Sequence, residues 1–103
     1  MANMNPILVQ NLDELKMICK KHQVKQLYAF GSVCTDKFNE ESDINFIIAF
    51  NQRFFNGYVD NFLSLEAELS GLFQRKVDLV EESTLQNPYF IKVANQSKKL
   101  VYG

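Results

Sequence analysis

The chain has 103 residues, and its 47% hydrophobic and 22% charged content is typical of a folded globular protein with one modest core. Its formal net charge is −1 at pH 7 and its basic residues are scattered, so charge argues against a direct nucleic-acid surface. Two cysteines exclude a disulfide scaffold, and no apolar run approaches the length of a membrane span. We therefore expect a single domain over residues 1–103, cytoplasmic and without a membrane partner.

The N-terminal half is predicted to form a helix followed by two strands. Asn11 is placed to cap the helix, and Asp13 and Glu14 supply acidic groups to its first turn. Residues 24–30 form the first predicted strand. Residues 44–50 form the second, which is apolar on both faces, as expected of a central strand covered by other elements.

The C-terminal half is predicted to continue the alternation of helices and strands. Apolar residues keep a helical period over residues 58–72, and residues 76–80 form a short strand. Pro88 suits the first turn of a last helix, and residues 100–102 suit a closing strand. This order predicts an α/β (α+β) fold, with helices packed on a small mixed β-sheet.

The sequence also predicts the surroundings of several individual side chains. His22 ends a lysine-rich helix, which favours a solvated surface position. Cys19 and Cys34 are predicted to be small, packed, reduced thiols. Phe54 and Phe55 lie in a connection, where they pack inward or form part of a partner surface.

A group of polar residues with a particular spacing marks the ends of the predicted strands. A Gly-Ser pair closes the first strand, about ten residues follow, and two polar residues open the second strand. A further acidic residue interrupts the later strand, and if that strand pairs beside the second one it joins the same cluster. The members are Gly31, Ser32, Asp43, Asn45 and Asp78.

These residue types suit the binding of a nucleoside triphosphate with its metal ions. Carboxylate and amide oxygens are ligands for Mg2+, and a buried carboxylate is costly unless it is paired or bound to metal. Gly31 allows close approach of phosphate to the backbone, and Ser32 offers a hydroxyl beside backbone N–H groups. The alternatives are an ordinary turn at Gly31-Ser32, a cap at Asp43 and a strand-end salt bridge at Asp78.

On these residues the chain resembles the minimal nucleotidyltransferases, the MNT-type members of the DNA polymerase beta-like superfamily. Their pattern is Gly-Ser, a spacer of about ten residues, Asp-X-Asp, and a third Asp on a later strand. Residues 86–91 and 100–102 are also similar to the last helix and strand of that family.

The resemblance implies a function and a site. Asp43, Asn45 and Asp78 would bind Mg2+ or Mn2+, with Asp43 and Asp78 catalytic and Asp78 activating the nucleophile. Gly31 and Ser32 would hold the triphosphate of ATP. Many members of the family are antitoxins to an all-helical HEPN toxin, and some transfer AMP from ATP to a tyrosine of that toxin.

The chain departs from the family pattern at two positions. Asn45 stands where the family has the second Asp, and Lys37 is the first cation after Gly-Ser, where the family often has an Arg. Two hypotheses follow. One is a metal-dependent transfer of AMP or another nucleoside monophosphate to a protein hydroxyl, and the other is a catalytically degenerate fold that acts as a non-enzymatic protein-binding or antitoxin module. Homo- and hetero-oligomers are both open.

Overall fold

A computed structural model describes residues 4–52 and 55–103 of the chain. Helices and strands alternate through most of these residues, and within them no helix is both long and apolar enough to cross a membrane. The helices are α1 (Pro6–Gln10), α2 (Leu12–Lys21), α3 (Tyr58–Phe73) and α4 (Pro88–Ser97), and the strands are β1 (Val24–Phe30), β2 (Ile44–Phe50), β3 (Val77–Glu81) and β4 (Lys99–Tyr102).

The strands form one four-stranded mixed sheet in the order β3-β2-β1-β4. β1 runs antiparallel to both β2 and β4, whereas β2 and β3 are parallel. Parallel neighbours need a crossover connection, and α3 provides it between β2 and β3. The predicted small mixed sheet with packed helices is confirmed, and the predicted central position of β2 is also confirmed.

One face of the sheet carries the main core, under α2 and α3. Side chains at alternate positions of β2, including Phe46, are fully buried against apolar residues of both helices. Cys19 belongs to this core as a free thiol, and burial raises its pKa to about 12, so it stays protonated. Other fully buried members are Leu15, Leu27, Ala29, Ile44, Ile48, Leu65 and Leu69.

Helix α4 packs on the opposite face of the sheet. The rings of Phe30 and Phe90 meet edge to face, with centroids 5.7 Å apart, and Ala94 is buried. The ammonium of Lys98 lies 4.2 Å from the centroid of the Tyr28 ring. These contacts hold α4 over the end of β1, beside the turn that follows it.

The predicted capping role of the Asn11 side chain is wrong. Its Nδ2 donates to the carbonyl of Ile7 at 2.8 Å, and α2 has no side-chain cap at its start. The side chain instead closes α1, a short helix that the sequence prediction missed. Asn5 caps that helix by accepting from the N–H of Ile7, and Pro6 stands at its first position, which is the sequence signal for such a start.

The predicted solvated position of His22 is also wrong, because the side chain is buried between α2 and α3 and only 5% of the residue is exposed. Its Nδ1 makes a 2.9 Å hydrogen bond with Oδ1 of Asn61, and its Nε2 contacts the carboxylate of Glu68. Asn61 also donates to the carbonyl of His22 at 2.9 Å. The His22 side chain therefore joins the end of α2 to α3, a contact that helix periodicity alone does not indicate.

The aromatic residues before α3 are described only in part. Phe55 packs inward, with its ring centroid 6.2 Å from that of Phe50 and 5.5 Å from that of Tyr58. Of the two alternatives for this residue, inward packing is therefore correct. Phe54 lies outside the described residues.

Candidate functional site

The parallel pairing of β2 with β3 brings the three predicted metal ligands together. Asn45 is the direct register partner of Asp78, and Ile44 pairs with Val77. Asp43 precedes Asn45 by two residues, so Asp43, Asn45 and Asp78 share the sheet face opposite the main core. The sequence prediction of a shared cluster depended on the pairing of these two strands, and β2 and β3 do pair side by side.

The Gly-Ser turn lies against the same cluster. Gly31 begins a 3₁₀ turn, Gly31–Cys34, directly after β1, whose last residue Phe30 pairs with Asn45. The backbone of Gly31 has φ +79, and a Cβ atom there would lie 2.9 Å from Nδ2 of Asn45. Glycine is favoured here both by this left-handed conformation and by the close approach of the Asn45 side chain.

Local hydrogen bonds fix the turn after Gly31. Both the N–H and the hydroxyl of Thr35 donate to the carbonyl of Ser32, each at 2.9 Å. The hydroxyl of Thr35 also accepts from the N–H of Lys37 at 3.2 Å. The half-buried Ser32 is thereby held next to Gly31, at the end of the sheet where the acidic residues lie. Cys34 is half-buried in the same turn, and its thiol donates to the carbonyl of Ala29 at 3.3 Å.

The carboxylates of the site face solvent and one lysine. The side chains of Asp43 and Asp78 are 44% and 42% exposed, so the cost of a buried carboxylate does not arise here. The ammonium of Lys76 lies 4.0 Å from Oδ2 of Asp43 and 3.7 Å from Oδ1 of Asp78. Hydration and this lysine together compensate the two negative charges. Lys76 was not among the predicted site residues, although its position two residues before Asp78 places it on the same face.

A second residue that the sequence prediction missed is Arg75. Its Nη1 donates to the carbonyls of Asn39 and Ser42, at 2.9 and 2.8 Å, and its guanidinium lies 4.5 Å from the centroid of the Phe38 ring. These contacts tie the polar loop that precedes Asp43 to the end of α3. Arg75 therefore anchors the loop at Ser42, the residue directly before Asp43.

The oxygen atoms of this cluster fit Mg2+ or Mn2+. Asp43 and Asp78 supply carboxylates and Asn45 an amide oxygen, and Mg2+ is commonly held by one or two carboxylates plus substrate phosphates. Their partial exposure leaves room for water and phosphate ligands. Within the described residues no group of three or more His, Cys, Asp or Glu side chains forms a metal site, which agrees with the amide at position 45.

Comparison with known proteins identifies the relatives of the chain. Residues 13–103 match the family model described as "Polymerase beta, Nucleotidyltransferase". A protein of Methanocaldococcus jannaschii named "Putative protein adenylyltransferase MJ1379" is 30% identical over 92 residues, which cover 82% of this chain and 91% of that protein. Another from the same organism, "Putative protein adenylyltransferase MJ0128", is 36% identical over 77 residues, which cover 75% and 76% of the two chains.

Solved structures show the same fold at lower identity. A structure described as a "putative minimal nucleotidyltransferase" has a TM-score of 0.75 and 23% identity, and the match covers 94% of this chain and 95% of that one. A toxin–antitoxin crystal structure with AMP-PNP has a TM-score of 0.71 at 18% identity, covering 90% and 73%. A complex of tri-AMPylated Shewanella oneidensis HEPN toxin with MNT antitoxin has a TM-score of 0.66 at 16% identity, covering 93% and 72%.

Proposed function

The chain belongs to the polymerase beta nucleotidyltransferase family, and we propose that it transfers AMP from ATP to a hydroxyl group of a partner protein in a metal-dependent reaction. The observation that carries this proposal is the direct pairing of Asn45 with Asp78, on the face that also holds Asp43 and next to Gly31. The M. jannaschii relatives named as protein adenylyltransferases support AMP as the transferred group. Residues 1–103 act as one domain in this proposal.

Each site residue has a role in the proposed reaction. Asp43, Asn45 and Asp78 would hold Mg2+ or Mn2+, and the ion would neutralise charge on the phosphates and on the leaving group. Gly31 and Ser32 would bind the triphosphate through the backbone and the hydroxyl of the 3₁₀ turn. The solvent-facing position of these residues suits a macromolecular acceptor, which reaches the site from outside.

The proposed chemistry is an in-line displacement at the α-phosphorus. The acceptor oxygen forms a bond to that phosphorus, the bond to the β-phosphate oxygen breaks, and pyrophosphate leaves. The proton of the acceptor hydroxyl passes to the carboxylate of Asp78. Since Asp78 is 42% exposed, the proton then exchanges with water.

The proposed acceptor is a tyrosine of an all-helical HEPN-type protein, with this chain as its antitoxin. Structural neighbours described as toxin–antitoxin complexes support this choice, one of them with a HEPN toxin described as tri-AMPylated. The reaction would take place in the cytoplasm, without membrane or nucleic-acid contact. The modest net charge of −1 is consistent with a protein partner.

A label-transfer assay tests the proposed function. The protein is incubated with a HEPN-type toxin, a divalent ion and ATP labelled at either the α- or the γ-phosphate. We expect label from the α-position alone to reach the toxin, and we expect Asp43→Asn to abolish the transfer while the exposed helix variant Asp60→Asn retains it. Transfer of γ-label, or full transfer by Asp43→Asn, would overturn the assignment.

A second candidate function is partner binding without catalysis. The observation that favours it is the amide at Asn45, which leaves two carboxylates in the cluster with Lys76 beside them. Calorimetric titration of ATP with Mg2+, then with Mn2+, separates the two functions. Metal-dependent binding by the wild type supports the enzyme, whereas binding by Asn45→Asp alone, together with toxin neutralisation that survives Asp43→Ala, supports the binding module.

A further inference from the structure

We propose that Lys76 is a built-in counter-cation of the site, whose ammonium group holds the Asp43 and Asp78 carboxylates in the metal-free protein and is displaced when a divalent ion enters. This proposal rests on the metal site of the proposed function. It adds a competition between the Lys76 ammonium and the metal ion for the two carboxylates. It also predicts that removing the Lys76 charge has opposite effects on the binding of free Mn2+ and of Mn2+–ATP.

The position of Lys76 carries the first part of the argument. Its ammonium lies 4.0 Å from Asp43 and 3.7 Å from Asp78, so one cation bridges two carboxylates on neighbouring strands. Its backbone carbonyl accepts from the N–H of Ile44 at 3.1 Å. This hydrogen bond fixes the backbone of Lys76 at the point where the pairing of β2 with β3 begins. The strand register therefore places the Lys76 backbone beside both carboxylates, within reach of its side chain.

The exposure of the bridge carries the second part. The side chain of Lys76 is 69% exposed, and both carboxylates are about half exposed. Ion pairs of this kind contribute little stability, because water and salt screen them. A divalent ion, which carries twice the charge, can therefore displace the ammonium from the carboxylates without disrupting the sheet.

The charge balance of the site carries the third part. Asp43 and Asp78 contribute two negative charges, Asn45 contributes none, and the Lys76 ammonium leaves one net negative charge. This weakens the attraction for a free divalent ion. It also weakens the repulsion of a triphosphate, so the lysine favours entry of the metal together with the nucleotide over entry of the metal alone.

Opposite effects on two ligands follow from this balance. Replacement of Lys76 by Met keeps a long apolar side chain and removes the charge. We expect the dissociation constant for Mn2+ alone to fall roughly thirtyfold, because one unit charge about 4 Å away in a water-like dielectric changes the affinity for a monovalent ion about fivefold and a divalent ion doubles that free energy. We expect the Mn2+–ATP complex, which is an anion, to bind more weakly by a similar factor.

The experiment measures binding and not turnover. Mn2+ is titrated into the metal-free protein while the signal of free Mn2+ is followed by electron paramagnetic resonance, and Mn2+–ATP is titrated by calorimetry. Lys76→Arg keeps the charge and is expected to match the wild type. Lys16→Met removes an exposed lysine from α2, on the other side of the sheet, and is also expected to match the wild type.

Each outcome decides the proposal. Tighter Mn2+ binding and weaker Mn2+–ATP binding in Lys76→Met alone support it, whereas unchanged or weaker Mn2+ binding in that variant overturns it. Asn45→Asp separates the failure of this proposal from failure of the site. If all variants bind Mn2+ equally well, only the role of Lys76 is refuted; if none binds Mn2+, including Asn45→Asp, the metal site of the proposed function is refuted with it.

Discussion

A Cβ atom on Gly31 would lie 2.9 Å from Nδ2 of Asn45, so the turn after β1 and the polar position of β2 are in direct contact. The turn is the proposed triphosphate site, and Asn45 is the proposed metal ligand. A side chain added at Gly31 would therefore displace the Asn45 amide. A left-handed backbone, with φ +79 at Gly31, is what permits this approach.

Gly31→Ala is expected to destabilise the protein by more than the same substitution at Gly57. Both glycines have positive φ, +79 and +81, and an Ala in that conformation costs about 1–2 kcal/mol. A Cβ at Gly57 meets nothing within 4 Å, whereas at Gly31 it meets the Asn45 amide. The measurement is the free energy of unfolding in urea for both variants.

A double-mutant cycle tests whether the Asn45 contact is the cause. In an Asn45→Ala background the obstructing amide is absent, so the cost of Gly31→Ala is expected to fall towards that of Gly57→Ala. Equal costs of Gly31→Ala in the two backgrounds would show that the contact does not matter for stability.

Asn45→Asp is expected to raise the affinity for Mn2+ roughly thirtyfold, because it adds one negative charge next to a divalent ion. The replacement is nearly isosteric but puts a carboxylate directly opposite Asp78, so the metal-free protein is expected to lose about 0.2–1 kcal/mol of unfolding free energy. Calorimetry of Mn2+ binding at low and high salt measures the effect, and the gain is expected to shrink as salt increases. A gain that is independent of salt would point to a change in packing and not in charge.

Arg75→Met is expected to weaken Mn2+–ATP binding without touching the ligands themselves. The loss of two hydrogen bonds, to Asn39 and Ser42, loosens the loop that leads into Asp43. Hydrogen exchange of residues 38–43 and calorimetry of Mn2+–ATP measure the two effects in the same samples. Arg75→Lys keeps the charge but not the paired contacts, so it is expected to resemble Arg75→Met.

An unchanged exchange rate in this loop would remove the structural reason for the predicted loss of affinity. Faster hydrogen exchange in residues 38–43 with unchanged Mn2+–ATP binding would show that the loop does not position Asp43. The exposed lysine variant Lys20→Met serves as the control for a general change of charge.

The strands and the place of the site could be predicted from the sequence because their signals are local. Apolar runs in the sequence indicated β1 and β2. Asp43, Asn45 and Asp78 stood out because they are polar residues that interrupt or flank such runs. The contacts of Lys76 depend instead on the register between β2 and β3, since the ammonium reaches two carboxylates only when Asn45 pairs with Asp78. A single sequence carries no signal for that register.

The wrong prediction of a solvated His22 has the same cause, because contacts between elements that are distant in sequence leave no local signal. Its place after a lysine-rich helix indicates solvent, and only the packing of α3 against α2 brings Asn61 and Glu68 to its ring. The prediction that the Asn11 side chain caps α2 was wrong for a related reason. A short helix precedes it, and its side chain satisfies the end of that helix instead of the start of the next.

The last prediction concerns the contact between His22 and Glu68 and its dependence on pH. The pKa of Glu68 is lowered, chiefly by the hydrogen bond with His22 and then by that with Lys21, whose ammonium lies 3.1 Å from the carboxylate. In the folded protein this carboxylate therefore stays ionised at a pH where the unfolded chain binds a proton. The resulting stabilisation is fully present above the ordinary glutamate pKa of about 4.3 and is lost as pH falls through the lowered value.

Glu68→Gln is accordingly expected to reduce stability near neutral pH and to approach the wild type in acid. Urea unfolding from about pH 7 to about pH 3 measures the gap in unfolding free energy between the two proteins, which should narrow below about pH 5. Glu40→Gln, at an exposed position of the loop before β2, is the matched control and should show no such narrowing. A gap that stays constant down to about pH 3 would mean that Glu68 contributes through neutral contacts, which Gln also makes, and not through its charge on His22 and Lys21.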